Sequence, residues 1–154
     1  MKQVRFYFDD ISFPLKKRRI LSSFINEVIE RSGKRVGDLI YVFTTDLKVQ
    51  EINIRFLKHD TLTDIITFNN NQAEFISGEI YISVERVIEN SKIFLEPVEK
   101  ELLRVIFHGV LHLLGFNDKR KLEKSNMRTA ENALIAEFLE LKSNVSRETF
   151  KEGG

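Results

Sequence analysis

A chain of 154 residues fits one domain and has room for a sizeable core without staples. Its 42% hydrophobic and 31% charged residues exclude a disordered polymer, and 24 Lys and Arg against 23 Asp and Glu give no global attraction to nucleic acid. With no cysteine, disulfide frameworks, thiol catalysis and cysteine-based zinc fingers are excluded. No apolar run approaches the ~18 residues that span a bilayer. The opening MKQVRFYFDD lacks the long apolar stretch and cleavage site of a secretory signal, so a cytoplasmic, non-membrane protein is expected.

Gln3 to Phe8 alternates Val4, Phe6 and Phe8 and predicts a strand. Pro14 predicts a helix start, and Ile20, Leu21, Phe24, Ile25, Val28 and Ile29 form one apolar stripe that Ser32-Gly33 ends. Leu39 to Phe43 predicts a second strand. Thr45 or Asp46 can cap a helix reaching Leu57, although Ile52, Ile54 and Phe56 also alternate like a strand. Ile65–Phe68 and Glu79–Ser83 predict two further strands, with Ser83 capping a short helix through Asn90. Pro97 opens a helix to Leu114, apolar almost all round and therefore central and buried. A last helix over Lys119–Lys142 places Met127, Ala130, Leu134, Phe138 and Leu141 on one face. These elements predict an α+β fold: a mixed four-stranded sheet with one antiparallel edge pairing, packed against about five helices. Residues 1–142 form one domain, and 143–154 a loose polar tail.

The chemistry concentrates in one segment, from Phe107 to Asp118. The chain has three histidines, and His108 and His112 stand four apart on the central helix. Four residues turn about 400° and rise about 6 Å, so both imidazoles leave one face one turn apart and can reach one metal ion. Gly115 permits a chain reversal that brings Asp118 back as a third ligand. Two imidazoles and one carboxylate leave a fourth position for water, the layout of a catalytic zinc site. The spacing also suits two hydrogen-bonded buried histidines, and Asp118 also suits the N-cap of the last helix. Gly109 stands where an H-E-x-x-H protease carries its glutamate base, which disfavours peptidase chemistry.

Three blocks then resemble one family. His-Gly-Val-Leu-His-Leu-Leu-Gly-Phe-Asn-Asp resembles the H-G-x-L-H-L-x-G-x-D-H signature of the YbeY family of bacterial rRNA maturation factors, metal-dependent single-strand endoribonucleases. Ile52–Leu57 with Thr63–Phe68 resembles L-N-x-x-[FY]-R followed by T-D-V-L-S-F, and Gly78–Ser83 resembles G-D-I-x-I-S. The resemblance implies a single divalent ion, Zn2+ above all, held by His108, His112 and Asp118. Asp118 stands where the family has histidine, which opens the site to Fe(II) or Mn(II) as well. Asn117 falls at the family's aspartate, as a ligand-orienting side chain at best. The resemblance assigns Arg55 to the family's functional arginine, a bidentate phosphate holder, against a surface salt bridge read from the residue alone. Thr63 and Asp64 are read as a turn before a strand, and His59 as a solvated loop histidine. The basic run Lys119, Arg120, Lys121 and Lys124 would track an RNA backbone beside the metal, whereas Lys16–Arg19 reads as a solvated face. Phe116 is read as a core anchor of the turn. The implied function is single-strand RNA cleavage by a metal-bound water in rRNA 3′-end maturation and ribosome quality control, with the small ribosomal subunit and its assembly factors as partners. The rival is a metal-stabilised ribosome-assembly binder with little catalysis.

Overall fold

The computed structural model describes residues 2–58 and 62–153, with side chains as far as residue 144. His59 and most of the tail expected over 143–154 lie outside these described side chains. Strand β1 (Gln3–Phe8) leads through an irregular segment to α1 (Arg18–Arg31) and β2 (Arg35–Thr44). Helix α2 (Asp46–Ile52) passes into a single π-helical turn, Asn53–Leu57. Strands β3 (Ile65–Asn69) and β4 (Phe75–Ser83) follow, then helices α3 (Val84–Ile93), α4 (Val98–Leu113) and α5 (Lys121–Gly153). Across the sheet the order is β1-β2-β4-β3, with β1, β2 and β4 parallel and β3 antiparallel to β4. This is the expected mixed α+β sheet with one antiparallel edge.

The central strands β2 and β4 are covered by helices, so their inward residues Leu39, Tyr41, Phe43, Ile80 and Ile82 are fully buried. Helix α1 adds Leu21, Phe24, Ile25, Val28 and Ile29, its predicted stripe save for half-buried Ile20. Pro14 does not start that helix. Ile11, Phe13 and Leu15 instead lie partly buried against the core in a non-helical segment, and α1 begins only after Lys17 turns through a left-handed φ of 57°. The alternation over Ile52–Phe56 yields to the Thr45 cap, whose side chain accepts the Lys48 N–H at 3.2 Å. Ser83 caps α3 in the same way, accepting from Arg86 N–H at 3.1 Å.

Helix α4 crosses the sheet and is buried nearly all round. Two contacts set its height. The fully buried Tyr41 hydroxyl donates to the Ile106 carbonyl at 2.8 Å. At Gly109 a Cβ would stand 2.9 Å from Ile80 Cδ1 and 3.2 Å from Ile65 Cδ1, so the helix backbone lies directly on β3 and β4. The glycine that excluded a protease glutamate therefore has a packing reason: its side of α4 faces the sheet, with no room for a longer side chain.

Candidate metal centre

His108 and His112 occupy the last two turns of α4, half-buried, with side chains 20% and 28% exposed. The helix ends in a Schellman turn. Phe116 N–H donates to Leu111 O at 3.0 Å and Gly115 N–H to His112 O at 3.0 Å, with Gly115 at a φ of +102° that L side chains rarely adopt. This turn does two things for the site. It aims the Phe116 carbonyl at His112 Nδ1, 2.9 Å away, and it sends the chain back so that Asp118 meets both rings. Helix α5 begins only at Lys121, so Asp118 is not its cap. Its Oδ2 lies 3.3 Å from His108 Nε2 and 3.4 Å from His112 Nε2, and the two Nε2 atoms are 2.9 Å apart.

Two of these three distances fit a cation as they stand, and the third, 2.9 Å between the Nε2 atoms, must widen by a few tenths of an ångström to admit one. A tetrahedral ion with ligand bonds of about 2.0–2.2 Å has ligand–ligand edges of about 3.3–3.6 Å. The tautomers agree. His108 Nδ1 faces the Glu131 carboxylate at 2.7 Å and His112 Nδ1 faces a carbonyl, so each Nδ1 carries the proton. Each Nε2 then turns a lone pair inward, beside a carboxylate oxygen. Three electron-pair donors converge there, and a divalent cation satisfies all of them at once. In its absence burial disfavours the charged His108 imidazolium, but the hydrogen bond and charge of Glu131, with Asp118 and Asp64, outweigh this and raise its pKa.

Glu131 was not singled out in the sequence. Its side chain, 5% exposed, projects from α5 beneath His108 and is gripped on its other oxygen by Arg104 Nη1 at 3.2 Å. The same guanidinium nitrogen donates to Asn132 Oδ1 at 2.8 Å, and Glu101 Oε2 stands 3.9 Å from Arg104 Nε. The signal was present: Glu131 interrupts the apolar row of Met127, Leu134 and Phe138 with an acid in a buried place.

Two hollows meet at the triad. The larger, about 620 Å³, runs along β3 and is lined by Asn53, Leu57, Thr63, Asp64 and Asn69 with His108, His112 and Asp118. The smaller, about 330 Å³, lies between α3, α4 and α5. His108, Asp118, Asp64 and Ile65 belong to both. Thr63 forms the expected turn, its Oγ1 bonded to Ile65 O at 3.2 Å. Asp64 does more than turn the chain: it lines both hollows, and burial raises its pKa against the pull of His108.

Arg55 is placed elsewhere. It is exposed, beside the Phe56 ring, in a separate hollow with Asp9, Lys48 and Tyr81. The π-helical turn presents Asn53 and Leu57 to the triad instead. Set against L-N-x-x-[FY]-R, the block Ile52–Leu57 puts Leu57, not Arg55, at the arginine's place. Lys119, Arg120 and Lys121 are exposed but line neither hollow, whereas Lys124 stands on the smaller one. Phe116 is 37% exposed rather than a core anchor, because its backbone, not its ring, serves the turn. Asn117 is exposed, as is the whole of Lys16–Arg19.

The family model described as Endoribonuclease YbeY matches residues 9–139. The Endoribonuclease YbeY of Parabacteroides distasonis is 41% identical over 133 residues, covering 86% of this chain and 94% of that protein. The Endoribonuclease YbeY of Christiangramia forsetii is 40% identical over 132 residues, covering 86% and 92%. The solution structure of TM1509 from Thermotoga maritima superposes with a TM-score of 0.59 at 29% identity, over 94% of this chain and 95% of that one. The chain belongs to the YbeY family.

Proposed function

We propose that this YbeY-family chain is a metal-dependent endoribonuclease that cleaves single-stranded RNA, with rRNA 3′-end maturation and ribosome quality control as its setting. The observation that carries the reading is the inward convergence of His108 Nε2, His112 Nε2 and Asp118 Oδ2 within 3.4 Å of one another at the meeting of two open hollows. Zinc suits the donor set best; the carboxylate also admits Fe(II) or Mn(II). When bound, the ion supplies a Lewis acid for a phosphoryl oxygen and acidifies water.

The chain's own residues do the rest. The Glu131 carboxylate and the Phe116 carbonyl fix both ring orientations, so no reorganisation is needed when RNA arrives. Asp64, in the shared wall, accepts the proton of the attacking water. Lys124 takes backbone charge at the mouth, with Lys119 and Arg120 just before α5 and Lys121 at its first residue. Association with the small ribosomal subunit and its assembly factors and a cytoplasmic location follow from the same family reading. Among the described residues no helix is long and apolar enough to cross a membrane.

A second reading, a metal-stabilised ribosome-assembly binder with little catalysis, draws on Leu57: the larger hollow is lined by no Lys or Arg among the described residues. A cleavage assay decides between them. Single-stranded RNA should be cut by protein loaded with metal, spared after chelation, and cut again on re-addition of Zn2+ or Mn2+. Tight RNA binding without cleavage under any divalent metal would replace the enzyme with the binder.

A further inference from the structure

The smaller hollow is not needed to hold a metal, yet it shares His108 and Asp118 with the triad and is built of three layers. Its floor is acidic: Glu101 and Glu131 are 4% exposed, with Arg104 between them. Its mouth is basic, carrying the exposed Lys124 and Arg128 from α5. Its side wall brings the Asn90 amide and the Phe94 ring from the end of α3. Phe94 is 57% exposed, between Ile93 at 62% and Leu95 at 91%, an apolar edge left in water. At about 330 Å³ the space lies at the small end of the ~300–1,000 Å³ typical of ligand sites.

These layers sort the parts of a nucleotide. A phosphate is repelled by the carboxylate floor and attracted to the lysine and arginine at the mouth. A base is uncharged, stacks on an aromatic face, and can donate its exocyclic amino hydrogens to carboxylate or amide oxygens. Because the hollow meets the triad, a strand whose phosphate sits at the triad places its neighbouring nucleotide there.

We propose that the smaller hollow is a nucleobase subsite: it holds the base flanking the scissile phosphate, stacked on Phe94, with its backbone on Lys124 and Arg128, and prefers bases bearing an amino group (adenine, cytosine, guanine) over uracil. The subsite's place beside a scissile phosphate rests on the endoribonuclease reading, while its binding of a base can be measured without cleavage. The acceptor-rich floor sets the preference, since uracil offers no amino group to it. Phe94 supplies a stack for whichever base enters, and Lys124 a backbone contact independent of sequence.

The test is fluorescence anisotropy with short single-stranded RNA oligonucleotides, uracil throughout or with one adenine or cytosine at each position in turn, on the metal-loaded full chain, read before turnover with strand integrity checked on a gel. Wild type should bind the singly substituted strands more tightly than the all-uracil strand. Phe94→Ala should weaken these by roughly five- to hundredfold, the scale of one lost base–aromatic stack. Phe94→Tyr should restore them, which a folding defect would not permit. Lys124→Ala should weaken every sequence alike and flatten the salt dependence. Equal binding of all sequences, or Phe94→Ala unchanged from wild type, overturns the subsite even if wild type cuts RNA. Base-dependent binding through Phe94 with no cleavage under any metal leaves the subsite and overturns the nuclease. Absence of RNA binding overturns both.

Discussion

Removing the carboxylate behind His108 tests whether the triad is held or merely adjacent. Glu131 accepts the His108 Nδ1 proton at 2.7 Å and is itself held by Arg104 at 3.2 Å, in a pocket where its side chain is 5% exposed. Losing the group that orients a metal-bound histidine typically weakens metal binding 10–100-fold, or about 1.4–2.7 kcal/mol. Folding suffers too. Breaking a buried pair from one side costs about 3–5 kcal/mol, and here less, because Arg104 keeps Asn132 at 2.8 Å. Glu131→Ala should therefore bind metal roughly 10–100-fold more weakly and unfold at lower temperature. Glu131→Gln keeps an acceptor oxygen but loses the charge, and should fall between alanine and wild type. Competition titration against a calibrated chelator reads the affinity, and a melt of the metal-free protein reads stability separately. Metal affinity in folded Glu131→Ala within about twofold of wild type, below the 10–100-fold expected, would refute the orienting role.

Asp64→Asn should lower kcat by about 10²–10⁴-fold at unchanged metal affinity if its carboxyl takes the proton; an unchanged kcat on single-stranded RNA rejects it. Arg55→Ala should change cleavage by less than about fivefold, the scale of an exposed charge, and a larger loss would restore Arg55 to the centre. The raised pKa of His108 sets a pH window with a definite sign. In metal-free protein, protonated His108 stabilises the fold below its ordinary pKa, and that gain is lost as pH rises through the raised value. A metal ion must displace the same proton, so metal affinity should climb with pH over that window, and steepness confined to pH below about 6.5 would contradict it.

The elements most easily read in the sequence were those that local chemistry decides. Thr45, Ser83, Gly115 and the His108–His112 spacing act within one or two turns: the first two cap their helices, Gly115 turns the chain after α4, and the two rings leave one face of it together. What was missed depends on contacts between distant segments. Pro14 could start a helix, but the apolar Ile11, Phe13 and Leu15 bind that stretch to the core first. Glu131 lies 23 residues from His108, and nothing in the helical pattern of α5 says which histidine its carboxylate meets. Arg55 is subtler: counted against L-N-x-x-[FY]-R the block already puts Leu57 at the arginine's place, and the π-helical turn lines the larger hollow with Asn53 and Leu57, a placement that apolar periodicity does not reveal.

Metal stoichiometry by elemental analysis tests the centre most directly. Purified protein equilibrated with Zn2+ and desalted should retain one ion per chain, and the His108→Ala/His112→Ala double variant none while keeping its sheet and helix spectrum. A wild type that retains no ion, or a double variant that retains as much as wild type, would remove the cation from this turn of α4 and with it the hydrolytic site.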